Sequence, residues 1–336
     1  MDVFTKLTNP SALPTGTGSG CSFSTDGVYL AIAHNISPFI TIYKRSGDTF
    51  TKLTNPSILP TGAGNGCSFS SDGVYLTVCH YTTPFITIYK RNGDIFNKLA
   101  DPSILPTSSS FGCSFSNDGV YLSVAHDVTP FFTIYKRSGD SFTKLSDPAT
   151  LPTGTGNGCS FSPDVNYLII CHFTSPYITV YKRSGDAFTK LDDPTTLPGF
   201  ASHNCSFSGD GNYLAVAYSA PPFVNIYKRN GDIFTKLTDP VILPANNAWG
   251  CSFSNDGVYL SICHQNTPFV TIYKRSGDTF TKLTNPSTLP TGTGNGCSFS
   301  TDGVYLAISH ATSPYITIYK SDNVSLILFA QAIGGF

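Results

Sequence analysis

The sequence predicts an all-β fold, a seven-bladed β-propeller with four antiparallel strands per blade. Three observations carry that expectation. The tetrapeptide Cys-Ser-Phe-Ser begins at Cys21, Cys67, Cys113, Cys159, Cys205, Cys251 and Cys297, a step of 46 residues taken six times without insertion or deletion. Within each step lie four short runs of aromatic and β-branched residues divided by Gly, Asp, Asn and Pro, and four strands every ~40–50 residues is the period of a propeller blade. The composition agrees. Charged residues are 12% of the chain, about half the roughly 25% of an ordinary globular protein. All 21 acidic residues are Asp, and there are 30 Gly and 23 Pro. Helix formers are scarce and turn formers plentiful.

The first unit shows each element in order. Gly20 to Ser24 is a short strand closed by Thr25, Asp26 and Gly27. Tyr29 to His34 is the second strand, apolar on both faces at Leu30-Ala31-Ile32-Ala33, as a sheet sandwiched between two other sheets requires. Phe39 to Lys44 is the third strand, and the turn Arg45-Ser46-Gly47-Asp48 leads to the fourth, Phe50 to Leu53. A longer loop, Thr54 to Asn65, carries the chain to the next unit.

Ring closure has two candidates. Phe4 to Leu7 matches the fourth strands residue for residue but has no first three strands before it. The seventh unit has its first three strands and then departs from the pattern after Lys320. The N-terminal strand is therefore expected to complete the seventh blade. Val324 to Ala330 is also strand-like and competes for that place. With the N-terminal closure, residues 1–323 form one propeller and 324–336 an apolar tail, a candidate segment for self-association.

The units resemble WD40-type propeller repeats, with Ile42-Tyr43-Lys44 where that family has its Trp-Asp pair. The family's Gly-His pair is absent, so its hydrogen-bond tetrad does not carry over. The phrases SFSxDGxYLAxxH, SPxITIYKRSGDxFTKL and xNPxxLPTGTGxG are similar to WD40-like repeats in proteins encoded by bacteriophages and prophages. The resemblance spans Asp2 to Lys320 and implies a propeller in a structural or accessory phage protein.

Few functional classes survive a look at the chemistry. The net charge of −1 gives no electrostatic reason for a nucleic-acid partner. No apolar run reaches the ~18 residues of a membrane-spanning helix. No signal-peptide core opens the chain, so host cytoplasm or virion is the expected setting. The seven Cys-Ser-Phe-Ser thiols are expected as small core residues, because equivalent positions on blades ~10 Å apart are beyond disulfide reach. Cys79, Cys171 and Cys263 alternate with Ala33, Ala125, Ala217 and Ser309, a small-volume position. No Cys-x-x-Cys occurs, and neither a metal nor a cofactor is expected. His34, His80, His126, His172, His264 and His310, replaced by Tyr218 in unit five, are expected to close the second strand and bond the long loop. Asp26 and its copies are turn caps. Lys44-Arg45 and its copies form a basic ring balanced by Asp48 in the same turn.

Recognition without catalysis is the expected function. On the face of the Lys-Arg turns the copies are nearly identical, whereas on the long-loop face they diverge. Two residues before each Cys stand Ser19, Asn65, Phe111, Asn157, His203, Trp249 and Asn295, and the turn after strand two carries Asn35, Tyr81, Asp127, Phe173, Ser219, Gln265 and Ala311. Phe111, Phe200, His203 and Trp249, with Tyr81 and Phe173, are the candidate binding residues. Aromatics beside Asn and Ser suit a partner protein or a surface glycan. Only His203 offers an unshared acid or base, as an enzyme at the channel mouth would need.

Overall fold

The computed structural model describes residues 2–322; the rival closing segment Val324–Ala330 and the tail lie outside the described residues. Seven four-stranded antiparallel sheets follow one another around a ring. Blade one consists of Gly18–Phe23, Tyr29–His34, Ile40–Ser46 and Thr49–Lys52, from the channel outward. The second strand has the expected bounds and the other three are shifted by one or two residues, the larger shifts for local reasons. A register shift between Gly18 and Gly20 lets the inner strand start early, with Gly18 opposite His34. The third strand starts at Ile40 because Phe39 has φ 67°, outside the extended region. That strand continues to Ser46 because Ser46 pairs with Thr49 across a two-residue turn in which Gly47 takes φ 55°.

The core lies between blades. All six residues of Tyr29–His34 are buried, and so are their counterparts in the other blades. Ala31, Ala33, Ile40 and Ile42 of blade one pack on Leu76, Val78 and Tyr89 of blade two, while Leu30, Ile32 and Tyr43 pack on blade seven. Both faces of one sheet are thus covered, which is why these strands are apolar throughout. At the channel the inner strands come closer than sheet-packing distance. A Cβ on Gly20 would lie 3.1 Å from the Gly66 Cα, so glycine, present at this position in every blade but the fifth, where Asn204 stands, lets the inner strands approach closely.

Phe4–Lys6 is the outer strand of blade seven. It pairs antiparallel with Ile316–Ser321, Phe4 opposite Ser321 and Lys6 opposite Tyr319. Phe4 is buried edge-on against Tyr259 of blade six at 5.4 Å, as Phe96 is against Tyr29 elsewhere in the ring. Asp2 forms an ion pair with Lys274 at 2.5 Å, the Val3 N–H donates to the Asp322 carboxylate at 2.7 Å, and the Asp322 N–H donates to the Val3 carbonyl at 3.0 Å. Asp2 precedes Phe4 by two residues, as Asp48 precedes Phe50. The N-terminal segment therefore brings the polar anchor of a fourth strand as well as its apolar one.

An inter-blade belt covers the Lys-Arg face. Tyr29 donates to Asp94 of the next blade at 2.6 Å, and Lys44 reaches the same carboxylate at 2.9 Å. Arg91 of that next blade lies over the Tyr29 ring at 4.5 Å and pairs with Asp26. The partner expected for Lys44, Asp48 of its own turn, instead serves blade seven through Lys320 and Tyr305. Lys44 projects from the third strand toward the neighbouring sheet, so the charge balance runs around the ring and joins its blades.

Candidate functional site

Two mouths open into the channel. The long-loop mouth holds a cavity of about 150 Å³ lined by Ser19, Asn65, Phe111, Asn157, His203, Trp249 and Asn295, together with the Gly and Cys positions below them. The register shift at the start of each inner strand aims these seven side chains at the axis. The long loops are fixed from beneath. Tyr43 on the third strand donates to the Ala12 carbonyl at 2.9 Å, and Thr15 donates to the Ser37 carbonyl at 2.9 Å. Both bonds recur in blade two, Tyr89 to Ile58 and Thr61 to Thr83.

The ring divides into ties and aromatics. Asn65, Asn157 and Asn295 each donate a side-chain N–H to a backbone carbonyl of the following blade, at 2.8, 2.9 and 2.9 Å. These amides tie blades together at the positions where the sequence suggests polar contacts for a ligand. At three other positions the tie is replaced by Phe111, His203 or Trp249. His203 and Trp249 sit with ring centroids 4.3 Å apart, and Phe173 meets His203 edge-on at 6.0 Å. Tyr81 meets Phe111 edge-on at 5.9 Å as a second pair. Phe200 stands apart and stacks on Tyr177 at 6.4 Å, a neighbour the sequence reading did not single out.

Tyr81, Phe173 and Phe200 are each at least half exposed, whereas Phe111, His203 and Trp249 are partly buried. Half-exposed aromatic edges beside partly buried ones form an apolar arc over blades two to six. Among the described residues no Asp, Lys or Arg lines this cavity, and Asp127 stands exposed on the rim above it, accepting from Thr155. His203 shares a 2.5 Å hydrogen bond with Ser219, and burial lowers its pKa to about 4. It is neutral at pH 7 and weakly basic. Its neighbours are aromatic, and no carboxylate orients it.

The six repeated histidines are fully buried, and each shares a 3.0 Å hydrogen bond with a threonine on the third strand, such as His34 Nε2 with Thr41 Oγ1. The partner is thus the neighbouring strand; only His126 also reaches a long loop, at Thr107. In blade five both members change together, and Tyr218 donates to Asn225 at 3.0 Å. Asp26 accepts from Ser24 and from the Val28 N–H, which makes it a turn cap. No group of three metal-ligating side chains occurs among the described residues.

The opposite mouth holds about 330 Å³ and varies too. The residue between Ser and Asp in the Ser-x-Asp turn is Thr25, Ser71, Asn117, Pro163, Gly209, Asn255 and Thr301 in successive blades, and all seven rim that opening. The signal stood in the sequence at the x of the repeat. Five of these residues carry small polar side chains, the other two are Pro163 and Gly209, and none is aromatic.

No protein-family model and no curated protein matches the chain. Among solved structures, the fold is similar to a chain of Kuenenia stuttgartiensis hydrazine synthase, with a TM-score of 0.71 and 14% identity over 92% of this chain and 97% of that one. At that identity the likeness is one of fold, the seven-bladed β-propeller.

Proposed function

We propose that this propeller is a non-catalytic recognition module that binds a partner protein or surface glycan through its long-loop face. The observation that carries the reading is the Phe173–His203–Trp249 cluster, set at the channel mouth where a tie between blades has been given up. The long loops that carry His203 and Trp249 are anchored by Tyr227 donating to the Thr196 carbonyl and Tyr273 to the Ile242 carbonyl, and rings on loops ordered beforehand lose little freedom on binding. The repeat phrases support a WD40-like structural or accessory protein of phage type as its setting, with the 324–336 tail as the segment for self-association.

A lectin-like glycan-binding module is the second reading, favoured by neutral aromatics beside the Ser219 hydroxyl. The structural neighbour's name denotes an enzyme, but an acid–base role here would rest on His203. Its lowered pKa and the lack of a carboxylate beside it argue for a packing role.

The test is binding of the purified protein to a glycan array and to bacterial envelope fragments, beside a Phe173→Ala, Trp249→Ala variant with unchanged melting. Binding that falls at least ~10-fold in the variant supports the surface, since a central aromatic anchor contributes about 2 kcal/mol or more. Equal binding by both proteins would move the recognition surface elsewhere.

A further inference from the structure

The second-strand position that precedes the buried His, or Tyr218 in blade five, reads Ala33, Cys79, Ala125, Cys171, Ala217, Cys263 and Ser309 around the ring. Its side chain faces the inner strand of the following blade. Cys79 and Cys113 share one inter-blade core, Cys171 and Cys205 a second, and Cys263 and Cys297 a third. In each core the two cysteines are neighbours across the seam: Cys113 Sγ reaches the Thr77 carbonyl at 3.9 Å and Cys297 Sγ the Ser261 carbonyl at 3.6 Å, each two residues before the facing cysteine. At the other seams the same inner-strand thiol meets Ala33, Ala125, Ala217 or Ser309. The ~10 Å expectation compared equivalent cysteines; these contacts join unlike positions, second strand to inner strand.

The geometry points to a covalent modification: we propose that Cys79–Cys113, Cys171–Cys205 and Cys263–Cys297 are disulfide-forming sites that staple blade two to three, four to five and six to seven. Alanine fills the second-strand position at three other seams, so volume alone does not call for a thiol there. Each thiol faces a second thiol, and each pair closes the same 34-residue separation.

All ten cysteines are free thiols in this structure. The facing thiol together with burial pushes Cys113 and Cys205 well up, and burial followed by Cys297 does so for Cys263. Desolvation disfavours the attacking thiolate but not the neutral disulfide. Oxidation therefore proceeds as the ring folds or when a seam opens, and the closed ring then protects its product. With a small-molecule disulfide as oxidant, one thiolate displaces the first small thiol to give a mixed disulfide. The facing thiolate displaces the second. Each protein pair loses two electrons and two protons, and the reagent leaves as two thiols.

The test oxidises the whole chain with diamide, whose diazene takes up two electrons and two protons per bond, during refolding and, separately, on the warmed native protein. Disulfides are located by peptide mapping. The comparison is a Cys79→Ala, Cys171→Ala, Cys263→Ala variant, whose fold is secured by the alanines of blades one, three and five. The expected result is loss of six hydrogens from the native sequence, bonds at the three facing pairs, and a melting midpoint raised by roughly 10 °C that reductant reverses. The variant should show neither the bonds nor the rise. Thiols left unoxidised in both arms, bonds scattered over cysteines that do not face each other, or bonds without a higher midpoint would overturn the proposal.

Discussion

At the scale of residues, each of six blades buries a neutral imidazole against a threonine hydroxyl. Burial lowers the pKa of His34, His126, His172, His264 and His310 to about 4, from 6.5. The unfolded chain takes up these protons as pH falls below about 6.5, while the folded chain holds them off until about 4. Stability present above that window is lost within it, by up to about 1.4 kcal/mol per histidine for each pH unit. Urea midpoints should fall steeply between pH 7 and 4.5; a flat profile would contradict the burial of neutral imidazoles. The blade-five exchange gives a second prediction. Tyr218→His alone leaves Asn225 mismatched and should cost about 1–3 kcal/mol. Adding Asn225→Thr should recover most of that, as a double-mutant cycle by urea unfolding can measure.

At the scale of elements, the clasp is the strand most exposed to test. Phe4 occupies the place that Phe50 holds in blade one, so Phe4→Ala and Phe50→Ala should destabilise by similar amounts, about 3–5 kcal/mol each in urea unfolding. A much smaller loss at Phe4 would mean that Phe4–Lys6 is a loosely held cover. Much of this level was legible in the sequence. The 46-residue period announced the blades, and Phe4 to Leu7 matched the fourth strands closely enough to predict the closure. What stayed hidden depended on neighbouring blades. The partner of Lys44 is Asp94, 50 residues away, and the partner of His34 is a threonine across a strand pair. The strand ends shifted for reasons local to Gly18–Gly20 and Phe39, where a bulge and a positive φ leave no unique sequence mark. At the site, the divergent positions singled out the long-loop face. They did not reveal that Asn65, Asn157 and Asn295 are ties, that Phe200 stacks away from the mouth, or that Thr25 and its counterparts vary at the opposite opening.

At the scale of the whole molecule, near-identical repeats build the ring and a few departures give it a direction. The Lys-Arg face carries a belt of Tyr, Asp, Lys and Arg contacts that repeats at six seams and lacks its Arg at the seventh, where Ser321 stands in blade seven, so it presents little that is particular to the other sectors. The long-loop face is asymmetric. Its aromatic arc covers blades two to six, and blade five carries both the His203–Ser219 bond and the Tyr218–Asn225 exchange. On the proposed recognition role, asymmetry of this kind would give a sevenfold scaffold one address for a partner. Trp249, the single tryptophan of the chain, lies within that address against His203. Its emission therefore reports on the mouth without any label. The most direct measurement is a titration of the native protein with solubilised bacterial envelope fragments, following Trp249 fluorescence alongside bound mass. The recognition account predicts a saturable emission change that tracks binding and weakens on Phe173→Ala. Binding that saturates while the emission stays constant, or no binding at all, would contradict it.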